Sequence, residues 1–100
     1  MQNEKQTKII ERLLDERQMD GKINLFAKVT IIPHEVLADH EHHGETETYY
    51  ILSGEGTYHD NGKDIPAKPG DVFFCEDGGC HGITCDTDEP LVFMALIIRK

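Results

Sequence analysis

Long apolar runs are missing from this 100-residue sequence. The longest, Leu91 to Ile98, has eight residues, whereas a membrane-spanning helix needs about 20. A chain that crosses a bilayer as a helix is thereby excluded. Basic residues are scarce, with ten Lys and Arg against nineteen Asp and Glu and a net charge of −9. Such a surface repels a phosphate backbone and an anionic lipid surface, and no local basic stripe offsets it. Neither nucleic acid nor membrane is expected as a partner. Cysteine is also sparse. Three residues are an odd number and too few for a disulfide scaffold, so a reducing, cytoplasmic setting is the simplest expectation. The opening Met1-Gln2-Asn3-Glu4-Lys5-Gln6-Thr7-Lys8 has no apolar core and no small-residue cleavage site, and it does not read as a secretory signal. No internal repeat, low-complexity tract or linker is visible, and the length leaves room for one domain, 1–100.

What is present is a globular composition, 38% hydrophobic and 29% charged, which separates the chain from disordered sequences. Thr7 to Gln18 carries Ile9, Ile10, Leu13 and Leu14 at helical spacing, and the pattern predicts a short N-terminal α-helix over about 7–18. From Lys22 the period becomes two. Ile23, Leu25, Ala27, Val29 and Ile31 alternate with mostly polar residues, the mark of a strand with one buried face. Val36-Leu37-Ala38 extends it. Further strands are predicted at Thr48–Leu52, Gly56–His59, Lys63–Ala67, Asp71–Cys75, His81–Cys85 and Leu91–Ile98. Asp60-Asn61-Gly62 is a tight-hairpin signal, and Gly/Pro turns separate the others. The fold class is all-β, a sandwich or barrel over about 22–99.

Six histidines stand out, three of them in Asp39-His40-Glu41-His42-His43. On a strand His40 and His42 face the same side. Glu47 lies an odd five residues beyond His42, so a bulge or loop at His43-Gly44-Glu45 has to reset the register before Glu47, Tyr49 and Ile51 share the inner face. His81 opens a later strand. Imidazole and carboxylate suit a divalent transition metal better than a soft thiolate site does.

These residues resemble the two motifs of the cupin superfamily. The first motif, His-x-His, three or four residues, Glu, six residues, Gly, is met by His40, His42, Glu47 and Gly54. Of the second, Gly70, Gly78 and His81 fit. Glu76 stands in place of the motif's Pro, Cys85 in place of its Asn, and His34 where the first motif opens with Gly. The resemblance covers about residues 25–98. It implies a double-stranded β-helix, or jelly roll, with His40, His42, Glu47 and His81 as ligands of one divalent metal (Mn, Fe, Co, Ni or Zn). It also implies dioxygenase, decarboxylase or isomerase chemistry on a small polar metabolite, or else a non-catalytic module that binds a small ligand or senses a metal.

Tyr49 and Glu76 are the candidates for proton transfer, and Cys85 is the thiol expected nearest the pocket. His43 reads as surface or rim. Lys63 and Lys68 are the nearest basic residues by pattern, neither well placed, which favours a neutral or mono-anionic compound. The apolar stripe of the expected helix, with outward Phe26 and Ile32, needs a docking surface, and a homodimer is expected.

Overall fold

The computed structural model describes residues 6–100. Met1–Lys5, the larger part of the segment read above for a secretory signal, lies outside the described residues. The elements in chain order are β1 (Lys8–Arg12), α1 (Glu16–Met19), β2 (Ile23–Ile31), β3 (Val36–Glu41), β4 (Glu45–Ser53), β5 (Gly56–Asp60), β6 (Lys63–Ala67), β7 (Val72–Cys75), β8 (Cys80–Cys85) and β9 (Leu91–Arg99). Their antiparallel pairing builds a five-stranded sheet in the order β1-β2-β9-β4-β7 and a four-stranded sheet in the order β3-β8-β5-β6. The two sheets close on each other as an antiparallel jelly roll. Among the described residues no helix is long and apolar enough to cross a membrane.

Alternation decides which side chains fill the interior. β2 turns Ala27, Val29 and Ile31 inward, β9 turns Leu91, Phe93 and Ala95, and β4 turns Tyr49 and Ile51. Tyr58, Ile83 and Cys85 meet them from the second sheet. Burial of each large apolar side chain is worth about 1.5–3 kcal/mol, and this shared interior is the main force holding the sheets together.

The N-terminal segment differs from its sequence reading. Instead of a helix over 7–18, Lys8–Arg12 form an edge strand, paired with β2 from Lys8↔Ile31 to Arg12↔Ala27. The apolar spacing suits a helix, but Ile9 and Ile10 are β-branched, and the free edge of β2 offers a ladder of backbone groups that an isolated three-turn helix cannot match. The helix is a single turn that begins at Glu16. Asp15 caps it, its carboxylate accepting the Gln18 N–H at 2.7 Å while the Gln18 side chain accepts the Asp15 N–H at 2.9 Å.

Two irregularities position the functional residues. Between Leu37 and His40 the β3–β8 pairing advances three residues on β3 against two on β8, a bulge that sets His40 directly opposite His81. After Glu41 the chain turns through His43 and Gly44, the latter at φ 78°, a conformation that glycine adopts without strain. His42 is pinned there by its N–H to Gly79 O at 3.1 Å and by Gly78 N–H to its carbonyl at 2.6 Å. This turn is the register reset that the odd spacing of His42 and Glu47 requires.

Candidate metal centre

The two sheets bring His40 (β3), His42 (just past β3), Glu47 (β4) and His81 (β8) together. One ligand-capable atom from each lies within 4.8 Å of all the others. His42, Glu47 and His81 are buried, and His40 is half-buried on the open side. Glu47 Oε1 is the common focus, 2.8 Å from His42 Nε2, 2.9 Å from His81 Nε2 and 3.7 Å from His40 Nε2. The two buried imidazoles approach at Nε2–Nε2 3.0 Å. The three rings form a near-equilateral triangle with centroids 4.7–5.0 Å apart.

The remaining ring nitrogens fix the orientation. His40 Nδ1 donates to Ala38 O at 2.9 Å and His42 Nδ1 donates to Glu45 Oε2 at 2.5 Å. A carbonyl and a carboxylate only accept, so in the neutral rings these protons sit on Nδ1 and the Nε2 lone pairs point at the centre. His81 Nδ1 meets Tyr58 Oη at 2.9 Å. Lone pairs of His42, His81 and Glu47 facing one another at about 3 Å repel unless a cation or extra protons lie among them. Donors at about 2.1 Å from one ion, set at right angles, are about 3.0 Å apart, which matches the three short contacts. The donor set fits a divalent transition ion.

Electrostatics follow from the same contacts. Burial works against a charge on Glu47, but the imidazoles of His40, His81 and His42 around it, when they carry a proton on Nε2, outweigh burial and hold the carboxyl at about 2. The Glu47 carboxylate, 3.7 Å from Nε2, raises His40 above the usual histidine value, with burial partly opposing it. Glu45 is lowered by its hydrogen bond from His42.

The centre lies in the wall of a cavity of about 230 Å³. Ile10, Leu25, Val29, Leu37, Phe93 and Ile97 supply the apolar wall, and Lys8 and Tyr49 complete the polar part. Tyr49 is 1% exposed and stacks on His81 with ring centroids 4.8 Å apart. Burial, reinforced by Glu47, pushes its hydroxyl well above the usual tyrosine range, so it carries its proton throughout the neutral range. Glu76 is exposed in the β7–β8 turn and is not part of the cavity wall. Cys85 faces inward as expected but is fully buried away from this cavity, its thiol directed to Glu89 O at 3.0 Å. His43 pairs with Glu41 on the surface, and His34 pairs with Asp88.

Sequence reading missed Lys8, Tyr58 and Glu45. Lys8 was hidden by its assignment to a helix. Tyr58 reaches His81 only through the pairing of β5 with β8. Glu45 three residues past His42 was the one local signal, since a carboxylate close to a ligand histidine is a common orienting partner.

The family model of the cupin domain matches residues 27–97. An oxalate-binding protein of Thermotoga maritima is 46% identical over 86 residues, spanning 86% of this chain and 71% of the relative. The crystal structure of a predicted oxalate decarboxylase from Thermotoga maritima aligns with a TM-score of 0.90 at 43% identity, covering 93% of this chain and 81% of the other. An uncharacterized protein with a double-stranded β-helix domain from Klebsiella pneumoniae aligns with a TM-score of 0.83 at 23% identity, covering 98% and 82%, a likeness of fold alone.

Proposed function

This chain belongs to the cupin family, and from that premise we propose that it is a metal-dependent binding protein for a small carboxylate, with oxalate the first candidate. One observation carries the reading: three imidazoles and Glu47 bring one donor atom each within 4.8 Å of one another, and His40, His42 and Glu47 of this group line a small cavity. His40, His42, Glu47 and His81 would hold one Mn, Fe, Co, Ni or Zn ion. When bound, the ion supplies Lewis-acid attraction for an oxygen ligand. Four protein donors leave two of six positions for that ligand. At about 230 Å³ the cavity is below the roughly 300–1,000 Å³ of drug-sized pockets, which suits a compound of a few heavy atoms. The name of the relative at 46% identity supports oxalate. The sequence leaned towards a neutral or mono-anionic compound for want of a nearby base, and Lys8 in the cavity wall removes that objection.

Turnover is the second reading, favoured by the structural relative described as a predicted oxalate decarboxylase. Oxalate would lose its C–C bond, release CO2 and take one proton on the remaining carbon to become formate. Tyr49 is the protonated hydroxyl in the cavity wall and would serve as donor. Glu76 would act only from outside that wall. The three free thiols favour a cytoplasmic setting, and a homodimer built on the outer face of the five-stranded sheet completes the proposal.

Elemental analysis of the purified protein, with calorimetric titration of oxalate before and after EDTA, tests the first reading. The expected result is about one transition metal per chain and oxalate binding that EDTA or His42→Ala abolishes. Binding that persists without metal overturns it. Formate release from the loaded protein, lost in Tyr49→Phe, would move the assignment to the second reading.

A further inference from the structure

We propose that Lys8 makes this site selective for dianions over monoanions, by supplying the second positive charge at the cavity rim. This inference rests on the carboxylate-binding reading above and deepens it.

The argument starts with the edge strand. In β1, Lys8, Ile10 and Arg12 sit opposite Ile31, Val29 and Ala27 of β2, whose side chains are buried inside the jelly roll. Neighbours across an antiparallel pair share a face, so Lys8 and Ile10 fall on the inner side. Both line the cavity that holds His40, His42 and Glu47. Lys8 is also exposed overall, which places it at the rim, where an apolar stem covers the wall and an ammonium group keeps contact with water. Among the described residues it is the one Lys or Arg in the cavity lining. No described acidic side chain forms an ion pair with it.

Charge balance gives this placement its consequence. Counting only the ion and its four donors, a divalent ion with Glu47 ionised and three neutral histidines carries a net +1. A monocarboxylate brings that to zero. A dicarboxylate leaves −1 against Ile10, Leu25, Leu37 and Phe93, and an uncompensated charge is expensive beside such a wall. Lys8 restores neutrality for the dianion alone. The chain's net charge of −9 repels a dianion at long range, so a local cation matters more here than in a neutral protein.

Calorimetric titration of the Mn²⁺-loaded full chain with oxalate and, separately, acetate tests the inference. Lys8→Met keeps the apolar stem and is expected to weaken oxalate binding about ten- to a hundredfold, with acetate and Mn²⁺ affinities held within about twofold. Lys8→Arg is expected to restore oxalate. An unchanged oxalate affinity in Lys8→Met, or equal losses for oxalate and acetate, overturns the role of Lys8 and leaves the carboxylate-binding reading standing. Wild-type protein that takes up Mn²⁺ and binds no oxalate overturns both.

Discussion

Each imidazole at the centre has one nitrogen tied to a partner in the fold and the other facing Glu47, and this arrangement sets how the site responds to acid. In the metal-free protein Glu47 is held at about 2 against an ordinary 4.5. The folded chain therefore binds fewer protons than the unfolded one between those values, and Glu47 contributes stability above pH 4.5 that is lost as pH falls through about 2. His40 has the opposite sign. Its value is raised above 6.5, so its contribution is fully present below 6.5 and disappears as pH rises through the folded value. A metal needs the Nε2 lone pair of His40, so its binding is expected to compete with protons there and to weaken as pH falls through the histidine range. Titration of Mn²⁺ in buffers of different ionisation enthalpy checks this, and an affinity independent of pH across that range would contradict it. The candidate ligands His40, His42 and Glu47 were legible because their order and spacing are local, and His81 through its resemblance to the second motif. Tyr58 and Lys8 were not, because each reaches the site through a strand partner far away in sequence.

Between residues and molecule, the bulge in β3 does most to shape the centre. It lets His40 face His81, and it requires Gly82 on β8. A Cβ at that position would lie 2.5 Å from Asp39 Oδ1 and 2.6 Å from Leu37 O. The same bulge presents Asp39 to the outside, where it pairs with His59 Nδ1 at 2.9 Å while His59 Nε2 meets Thr84 Oγ1 at 2.9 Å. This chain of contacts stitches β3, β5 and β8 on their outer face, so the bulge is fixed from both sides. Gly82→Ala is therefore expected to cost about 1–3 kcal/mol and to lower metal affinity through displacement of His81 and His40. Urea denaturation and a metal titration measure the two effects, and a variant with wild-type values for both would show that the bulge does not set the ligand geometry. Period-two alternation made β2 readable in advance, and aromatic, β-branched and apolar content did the same for β4 and β9. The bulge was not readable, since it is a relation between two strands. β1 was misread because an apolar spacing of three and four does not reveal a waiting sheet edge, although Asp15 and Gln18 already marked where the helical turn begins.

At the scale of the whole molecule, the jelly roll was legible from many short strands between Gly/Pro turns, and both sheets share its interior, but no described residue covers one outer surface. On the five-stranded sheet, cross-strand pairing lines up Phe26 with Leu96, Met94 with Tyr50, Tyr50 with Val72 and Thr48 with Phe74. Tyr50 is 46% exposed, Leu52 41%, Val72 61% and Phe74 56%. β7, which carries Val72 and Phe74, is also the free edge of its sheet. Contiguous apolar surface of this kind marks an interaction site. A second copy of the chain is the fitting occupant on charge grounds. The chain carries −9 overall, yet the β4, β7 and β9 part of this face presents Thr, Tyr, Leu, Val, Phe and Met, so two such faces can meet about a two-fold axis with little repulsion. Light scattering after size exclusion is expected to give twice the 11.3 kDa chain mass at micromolar concentration. The double variant Val72→Asp, Phe74→Asp places four carboxylates in the joint interface and is expected to give the single-chain mass while keeping its metal, because neither side chain faces the cavity. A wild-type protein that runs at the single-chain mass would remove the dimer. A double variant that stays dimeric would move the interface to another face, with exposed Ile9 of β1 and Leu13 just beyond it next in line.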